Sequence, residues 1–371
     1  MILADALIFT PNDIDLSRSP LAGKLPVQTY ALGAFNPGLA RLPNGNLLLM
    51  VRVAEALRTP VQDGHIHAIR WAEGTYHIDA WPLDLVDTSD PRTFAVRGQG
   101  WKVLGLTSLS WLLPVELTAD GTAIVAAHYD RVIAPMADYQ CYGIEDARIS
   151  QIGDRYWMTA CAVSPERHST ILYTSDNGLD WRLEGIVLDH QNKDMLIFQG
   201  LIGGQYWAQT RPLGDLYFAY PPGSPWRAGP SINLATSPDA LHWRPHPVPG
   251  IRPLSAPVPG ITRIGGGAPP ILTPDGWLSL WHGVEPAGGV GIYRTYWSLL
   301  EAANPAKVIA TGAAPLLEAA PALTDPIEDL MYLRDIVFTT GIVDGGDAWI
   351  VASGEGDLAC RITSIGKTIL R

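Results

Sequence analysis

The chain has 371 residues, 47% hydrophobic and 17% charged, which fits a folded protein with a large core. Its formal net charge of -11 argues against nucleic acid or an anionic membrane surface as partner, since both are held by basic patches. Thirteen Trp, 37 Gly and 31 Pro favour many short strands and turns over long helices.

Cys141, Cys161 and Cys360 are widely separated, so neither a disulfide framework nor a zinc site is expected, and each reads as a small buried hydrophobe. The start, Met1 to Asp5, carries no basic stretch, and no long apolar run precedes Asn12 and Asp13. No signal peptide and no membrane span are expected, and a cytoplasmic location is the default.

Residues 1–30 read as a lead-in with Pro and Asp turns. Ala34 to Gly38 then opens a strand through Leu42, and Leu47 to Val53 returns after Pro43-Asn44-Gly45-Asn46. Asn-Gly between two apolar runs is the strongest short hairpin signal. Residues 64–130 alternate strand-like pieces with turns.

From Gly143 a unit repeats: an entering strand, a Gly turn and an aromatic strand. Gln151-Ile152-Gly153-Asp154-Arg155-Tyr156-Trp157 is matched by Leu201-Ile202-Gly203-Gly204-Gln205-Tyr206-Trp207. Each is followed by Thr-Ser and a turn to Trp at the same spacing, Ser175 to Trp181 and Ser237 to Trp243. Asp and Asn close such turns through side-chain bonds to backbone N–H groups. A fourth unit runs from Ile264 through Gly276 to Gly283, and a fifth from Asp335 through Asp347 to Ala352. Pro221 to Pro230 and Pro245 to Pro259 read as loops. The expectation is an all-β fold: a single domain over 1–371, a five-bladed β-propeller with an axial pocket.

The stretch with most chemistry is Tyr142-Gly143-Ile144-Glu145-Asp146-Ala147-Arg148-Ile149, two carboxylates and a guanidinium at the head of an apolar strand. Strand alternation predicts that Glu145 and Asp146 point to opposite faces, one into a pocket. Alone, the motif also fits a solvated strand entrance with a local ion pair.

Residues 143–148 resemble the Gly-x-Glu-Asp-Pro-Arg signature of glycoside hydrolase family 130, the β-mannoside phosphorylases and related hydrolases, with Ala147 in the Pro position. Other elements follow in the family's order over residues 34–360: Asn36-Pro37, Arg52, Arg58, Lys193-Asp194, Arg211-Pro212, Gly265 to Pro270, His282-Gly283, Tyr293 and Asp357. The resemblance implies that Asp146 is the catalytic acid, acting through a mannose hydroxyl, in cleavage of a β-mannosidic bond with inversion. It implies sugar contacts from Asn36, Arg52, Arg58, Tyr293 and Asp357, and an anion site at Lys193, Arg211, His190 and His282. Inorganic phosphate is then the co-substrate of a phosphorolysis, and no other cofactor and no metal is implied. Where the family's phosphorylases carry Arg-Asn ahead of Lys-Asp, this chain has His190-Gln191-Asn192. Phosphorolysis and hydrolysis both stay open, as does a non-catalytic sugar-binding or interaction propeller. A small mannoside or oligosaccharide is the expected partner, and a homo-oligomer is left open.

Overall fold

Apolar runs separated by Gly and Asp turns become antiparallel strands paired mostly with their sequence neighbours, and among the described residues helix is limited to short pieces, the longest being Pro321–Thr324 continued by Asp325–Leu330. The computed structural model of the protein describes residues 1–213, 231–248, 250–251, 261 and 263–370, with 100, 101, 369 and 370 described by backbone alone. Pro221 to Pro230 lies outside the described residues, as does most of the stretch from Pro245 to Pro259.

Five sheets of four or five strands follow one another along the chain. The first holds Thr29–Arg41, Leu47–Leu57, Ser108–Leu117 and Ile124–Ala127. The second holds Ile144–Ile152, Arg155–Val163, His168–Ser175 and Arg182–Leu188. Asn192–Ile197, Tyr206–Pro212, Asn233–Ser237 and Arg244–Pro245 form the third. The fourth joins Arg263–Gly266, Gly276–Glu285, Ile292–Leu300 and Val308–Thr311, with Ile271–Thr273 beside Gly276–Glu285. The fifth is Val337–Asp344, Ala348–Glu355, Ala359–Gly366 and then Ile2–Phe9.

That last pairing corrects the reading of residues 1–30 as a lead-in. Ile2–Phe9 is the outer strand of the fifth sheet, fixed by Arg361, whose Nε and Nη2 donate to the two Asp5 carboxylate oxygens at 2.7 and 2.6 Å. Two further small sheets, Val61–Gln62 with His65–Ala72 and Thr75–Pro82, and Val86–Asp87 with Thr93–Val96 and Gln99–Leu106, are inserted in the first sheet's chain path.

The turns form as their residues dictate. At Asn44-Gly45, Gly45 has φ 88° and its N–H donates to Leu42 O at 2.9 Å. In the Thr-Ser-to-Trp turns, Asn177 Oδ1 accepts from the N–H of Leu179 and Asp180, and Asp239 Oδ1 from Leu241 and His242, all at 2.8 to 2.9 Å.

Buried apolar side chains bridge each sheet to the next. Leu48 and Met50 meet Ile149 and Met158; Trp157 and Leu172 meet Met195 and Ile197. Phe198 meets Trp277 edge-on at 5.2 Å between ring centres. Leu278 and Leu280 meet Val337 and Ile342, and Val343 and Ile350 of the fifth sheet pack with Leu39 and Leu49 of the first. The succession of contacts therefore returns to its start.

Candidate active site

Three successive first strands carry the same irregularity. Asn36-Pro37 bulges opposite Val51, Asp146-Ala147 opposite Ala160, and Asp194-Met195 opposite Thr210. The first residue of each bulge is left-handed, with φ 47° at Asn36, 54° at Asp146 and 55° at Asp194. Asn and Asp are the side-chain-bearing residues that tolerate this conformation best, and one left-handed residue makes this type of bulge. Each bulge re-aims its polar side chain without ending the strand.

The alternation expected at Glu145 and Asp146 therefore fails. Both reach one guanidinium: Arg52 Nη2 donates to Glu145 Oε1 at 2.8 Å and Nη1 to Asp146 Oδ1 at 3.0 Å. Arg52 is fixed further by Nε to Ser110 Oγ at 2.9 Å and by the face of Phe35, 4.7 Å from the ring centre. Asn36 Nδ2 donates to Asp146 Oδ1 at 3.0 Å, and Lys193 Nζ to Glu145 Oε2 at 3.0 Å. Behind them lies a second buried cluster. Asp194 sits 3.5 Å from Arg148 Nη2 and 2.7 Å from Arg211 Nε, the latter a charge contact without hydrogen-bond alignment. Arg148 Nε donates to Gly267 O at 2.7 Å and Nη1 to Asp146 O at 2.9 Å, which ties the second sheet to the fourth.

These groups open on a pocket that continues into solvent. Its wall includes Asn36, Arg52, Glu145, Asp146, Lys193, Asp194, Arg211, Tyr293 and Asp357. Burial alone would raise the Asp146 carboxyl, but Arg52, then Arg148 and Lys193, outweigh it and hold it well below the usual carboxylate range. Glu145 is likewise lowered, burial being overcome by Arg52 and Lys193. Asp357 goes the other way: burial pushes its carboxyl up, against the pull of Arg52.

A sequence profile described as beta-1,4-mannooligosaccharide phosphorylase, of glycoside hydrolase family 130, matches residues 111–370. A beta-1,2-mannobiose phosphorylase of Listeria innocua is 31% identical over 337 residues, 88% of this chain and 86% of that protein. The chain belongs to glycoside hydrolase family 130. A 1,2-beta-oligomannan phosphorylase of Thermoanaerobacter sp. is 31% identical over 64% of the chain and 72% of its own length. The solved beta-1,2-mannobiose complex of the Listeria innocua enzyme superposes with a TM-score of 0.81 at 28% identity, covering 98% of this chain and 95% of that one. The fold is thus all-β and propeller-like, and the chain stands among enzymes that act on β-mannosidic bonds by phosphorolysis or hydrolysis.

Seven of the ten residues expected for this family's site line the pocket; Arg58, His190 and His282 do not. Arg58 is exposed in a neighbouring hollow, 5.7 Å from the Tyr30 ring centre. His190 is on the outer side of the third sheet, in a groove with Trp243 and His246. The register explains it: the chain turns at residues 189–191 before Asn192 enters the strand, so only Lys193 onward reaches the pocket. His282 is buried under the site, 3.8 Å from Asp194 and stacked near Phe338 and Tyr293. Its pKa is driven far down by burial and then by Arg211, so it is a neutral support and no cationic anion ligand.

Among the wall residues that escaped the sequence reading are Arg92, His168 and Tyr332. Arg92 comes from the inserted strands, with Nε and Nη2 on the Asp90 carboxylate at 2.9 and 2.8 Å, a clamp that Asp90-Pro91-Arg92 hints at. His168 opens the third strand of the second sheet, and nothing in its sequence neighbourhood marks it. Among the described residues no His, Cys, Asp and Glu cluster suits a metal ion.

Proposed function

We propose that this protein is an inverting phosphorylase of β-1,2-linked mannosides, with Asp146 as general acid. The observation that carries phosphorolysis over hydrolysis is the state of Glu145. It is the carboxylate beside Asp146, and both its oxygens are bound by Arg52 and Lys193. A carboxylate so held is a poor base for water. Lys193 and Arg211, in contrast, stand at the pocket wall as cations for an oxyanion nucleophile.

In this reading HPO₄²⁻ attacks C1 from the α face as the β-glycosidic C1–O bond breaks, and protonated Asp146 gives its proton to a mannose hydroxyl, which passes its own to the leaving oxygen. The products are α-mannose 1-phosphate, formed as the monoanion, and the released mannose. The monoanion then returns a proton to Asp146, so charge and protons balance. Arg52, Arg148 and Lys193 keep Asp146 ionised, and an anion at Lys193 and Arg211 opposes that cation field. Nucleophile binding thus favours the acid form. Asn36, Arg52, Tyr293 and Asp357 hold the sugar, with Asn36 fixing the Asp146 carboxylate.

The five sheets are read as the blades of a single five-bladed propeller with the pocket on its axis. Support comes from the five successive sheets and from the sheet-to-sheet packing that closes on itself. The β-1,2 linkage is favoured by the Listeria innocua relative, which matches over most of both chains. Incubation with β-1,2- and β-1,4-mannobiose in phosphate buffer tests it. Faster release from the β-1,2 disaccharide is expected; preference for the β-1,4 isomer, or no cleavage of either, overturns it.

A further inference from the structure

His168 lines the pocket beside Lys193 and Arg211, and its ring is held by one partner. The backbone N–H of His168 donates to Gln191 Oε1 at 2.6 Å, and ring Nδ1 lies 3.1 Å from the same oxygen. A backbone N–H can only donate, so the Gln191 atom must be the oxygen. Nδ1 facing that oxygen must then carry a hydrogen. The imidazole stays neutral, because burial and then Lys193 push its pKa down to about 4. A neutral ring with hydrogen on Nδ1 has a bare lone pair on Nε2. Nε2 makes no hydrogen bond among the described residues and is the ring's free polar atom at the pocket. An acceptor therefore stands among donors.

We propose that His168, positioned by Gln191, is a specificity-determining residue that accepts the P–OH hydrogen of the bound nucleophile and so selects hydrogen phosphate over sulfate. The inference rests on the phosphorolytic reading above. Lys193 and Arg211 attract any tetrahedral oxyanion and do not separate two dianions of like size. Hydrogen phosphate has a hydrogen to offer Nε2. Sulfate has none near neutral pH, and its oxygen would face the lone pair. The hydrogen sits on an oxygen that does not attack, so no step of the transfer is altered.

The test is calorimetric titration of the full chain with phosphate and with sulfate at one ionic strength near pH 7.5. The unmodified protein should bind phosphate about tenfold more tightly, or more, since one hydrogen bond is gained and one lone-pair contact avoided. His168→Phe keeps the ring shape and should bring the ratio close to unity. Gln191→Leu keeps the imidazole but frees its tautomer, and should narrow the ratio by improving sulfate. Nitrogen NMR of His168 should show hydrogen on Nδ1 and none on Nε2 in the unmodified protein. Equal affinities in the unmodified protein, an unchanged ratio in both variants, or hydrogen on Nε2 would overturn the inference alone. Failure of both anions to bind would overturn the phosphorolytic reading with it. Phosphate-independent cleavage lost in His168→Phe would make His168 a base on water and also overturn it.

Discussion

At the scale of the residue, the site is a balance of buried charges. One guanidinium, Arg52, serves both Glu145 and Asp146, and Lys193 completes the set. Asp146→Asn keeps the shape but has no proton to give. Cleavage of mannobiose should fall by about 10²- to 10⁴-fold. Aryl mannosides whose leaving groups need little protonation should lose far less, and steady-state rates on the two substrate types check this. Equal losses, with sugar binding intact, would reject the acid role. The His168 pKa, lowered from 6.5 to about 4, carries a second expectation. Its folded-state value is depressed, so its contribution to stability is full above the unfolded value and is lost as pH falls through the folded one. Denaturant unfolding between pH 7 and pH 4 should show a steeper loss for the unmodified protein than for His168→Phe. These charges were legible as residue types in the sequence. Their partners were not, because Arg52 and Asp146 meet across 94 residues of chain.

At the scale of the element, the bulge is what turns a strand into a site. Asn36, Asp146 and Asp194 occupy the same place in three successive sheets, and each points its side chain where a regular strand would not. The hairpin at Asn44-Gly45 and the two Thr-Ser-to-Trp turns were readable because their residues specify them locally. Bulges escape an alternation argument because one left-handed residue resets the alternation, and Asp or Asn in a strand can signal it without proving it. Ile2–Phe9 escaped for another reason: as an edge strand it is largely exposed and shows no clean two-residue period. Asp194 offers the sharpest test at this scale. Its side chain and that of Arg148 are each 1% exposed, and Arg211 shares the same carboxylate. Asp194→Ala leaves two buried guanidiniums uncompensated and should cost about 3–5 kcal/mol of stability, read by chemical unfolding. A loss below about 1 kcal/mol, the range of an exposed pair, would show that the cluster is solvated. Gly354→Ala belongs here too. A β-carbon there would stand 2.0 Å from Asn36 Oδ1, so the Asn36 amide must leave Asp146. The same β-carbon would stand 2.9 Å from the Asn36 backbone nitrogen, so the bulge itself must shift, and turnover and melting temperature should fall together.

At the scale of the whole molecule, strands near the two ends of the sequence pair in one sheet. Ile2–Phe9 covers Ala359–Gly366, and Asp5 takes both Arg361 donors. Removing residues 1–9 uncovers a long strand edge and strips Arg361 of a partner, so the melting temperature should fall and the protein should self-associate. Light scattering and thermal scans check that. An unchanged melting temperature would separate the pairing from stability. The pocket draws residues from several sheets: Asn36 and Arg52 from the first, Asp146 from the second, Lys193 from the third, Tyr293 from the fourth. No sheet holds the site by itself.

The account stands on phosphate being the nucleophile, and phosphorus NMR of β-1,2-mannobiose turnover tests that most directly. With inorganic phosphate present, the account predicts α-mannose 1-phosphate and free mannose in equal amounts, and no cleavage once phosphate is removed. Undiminished release of two mannoses per disaccharide in phosphate-free buffer, or a β-configured sugar phosphate, would contradict it.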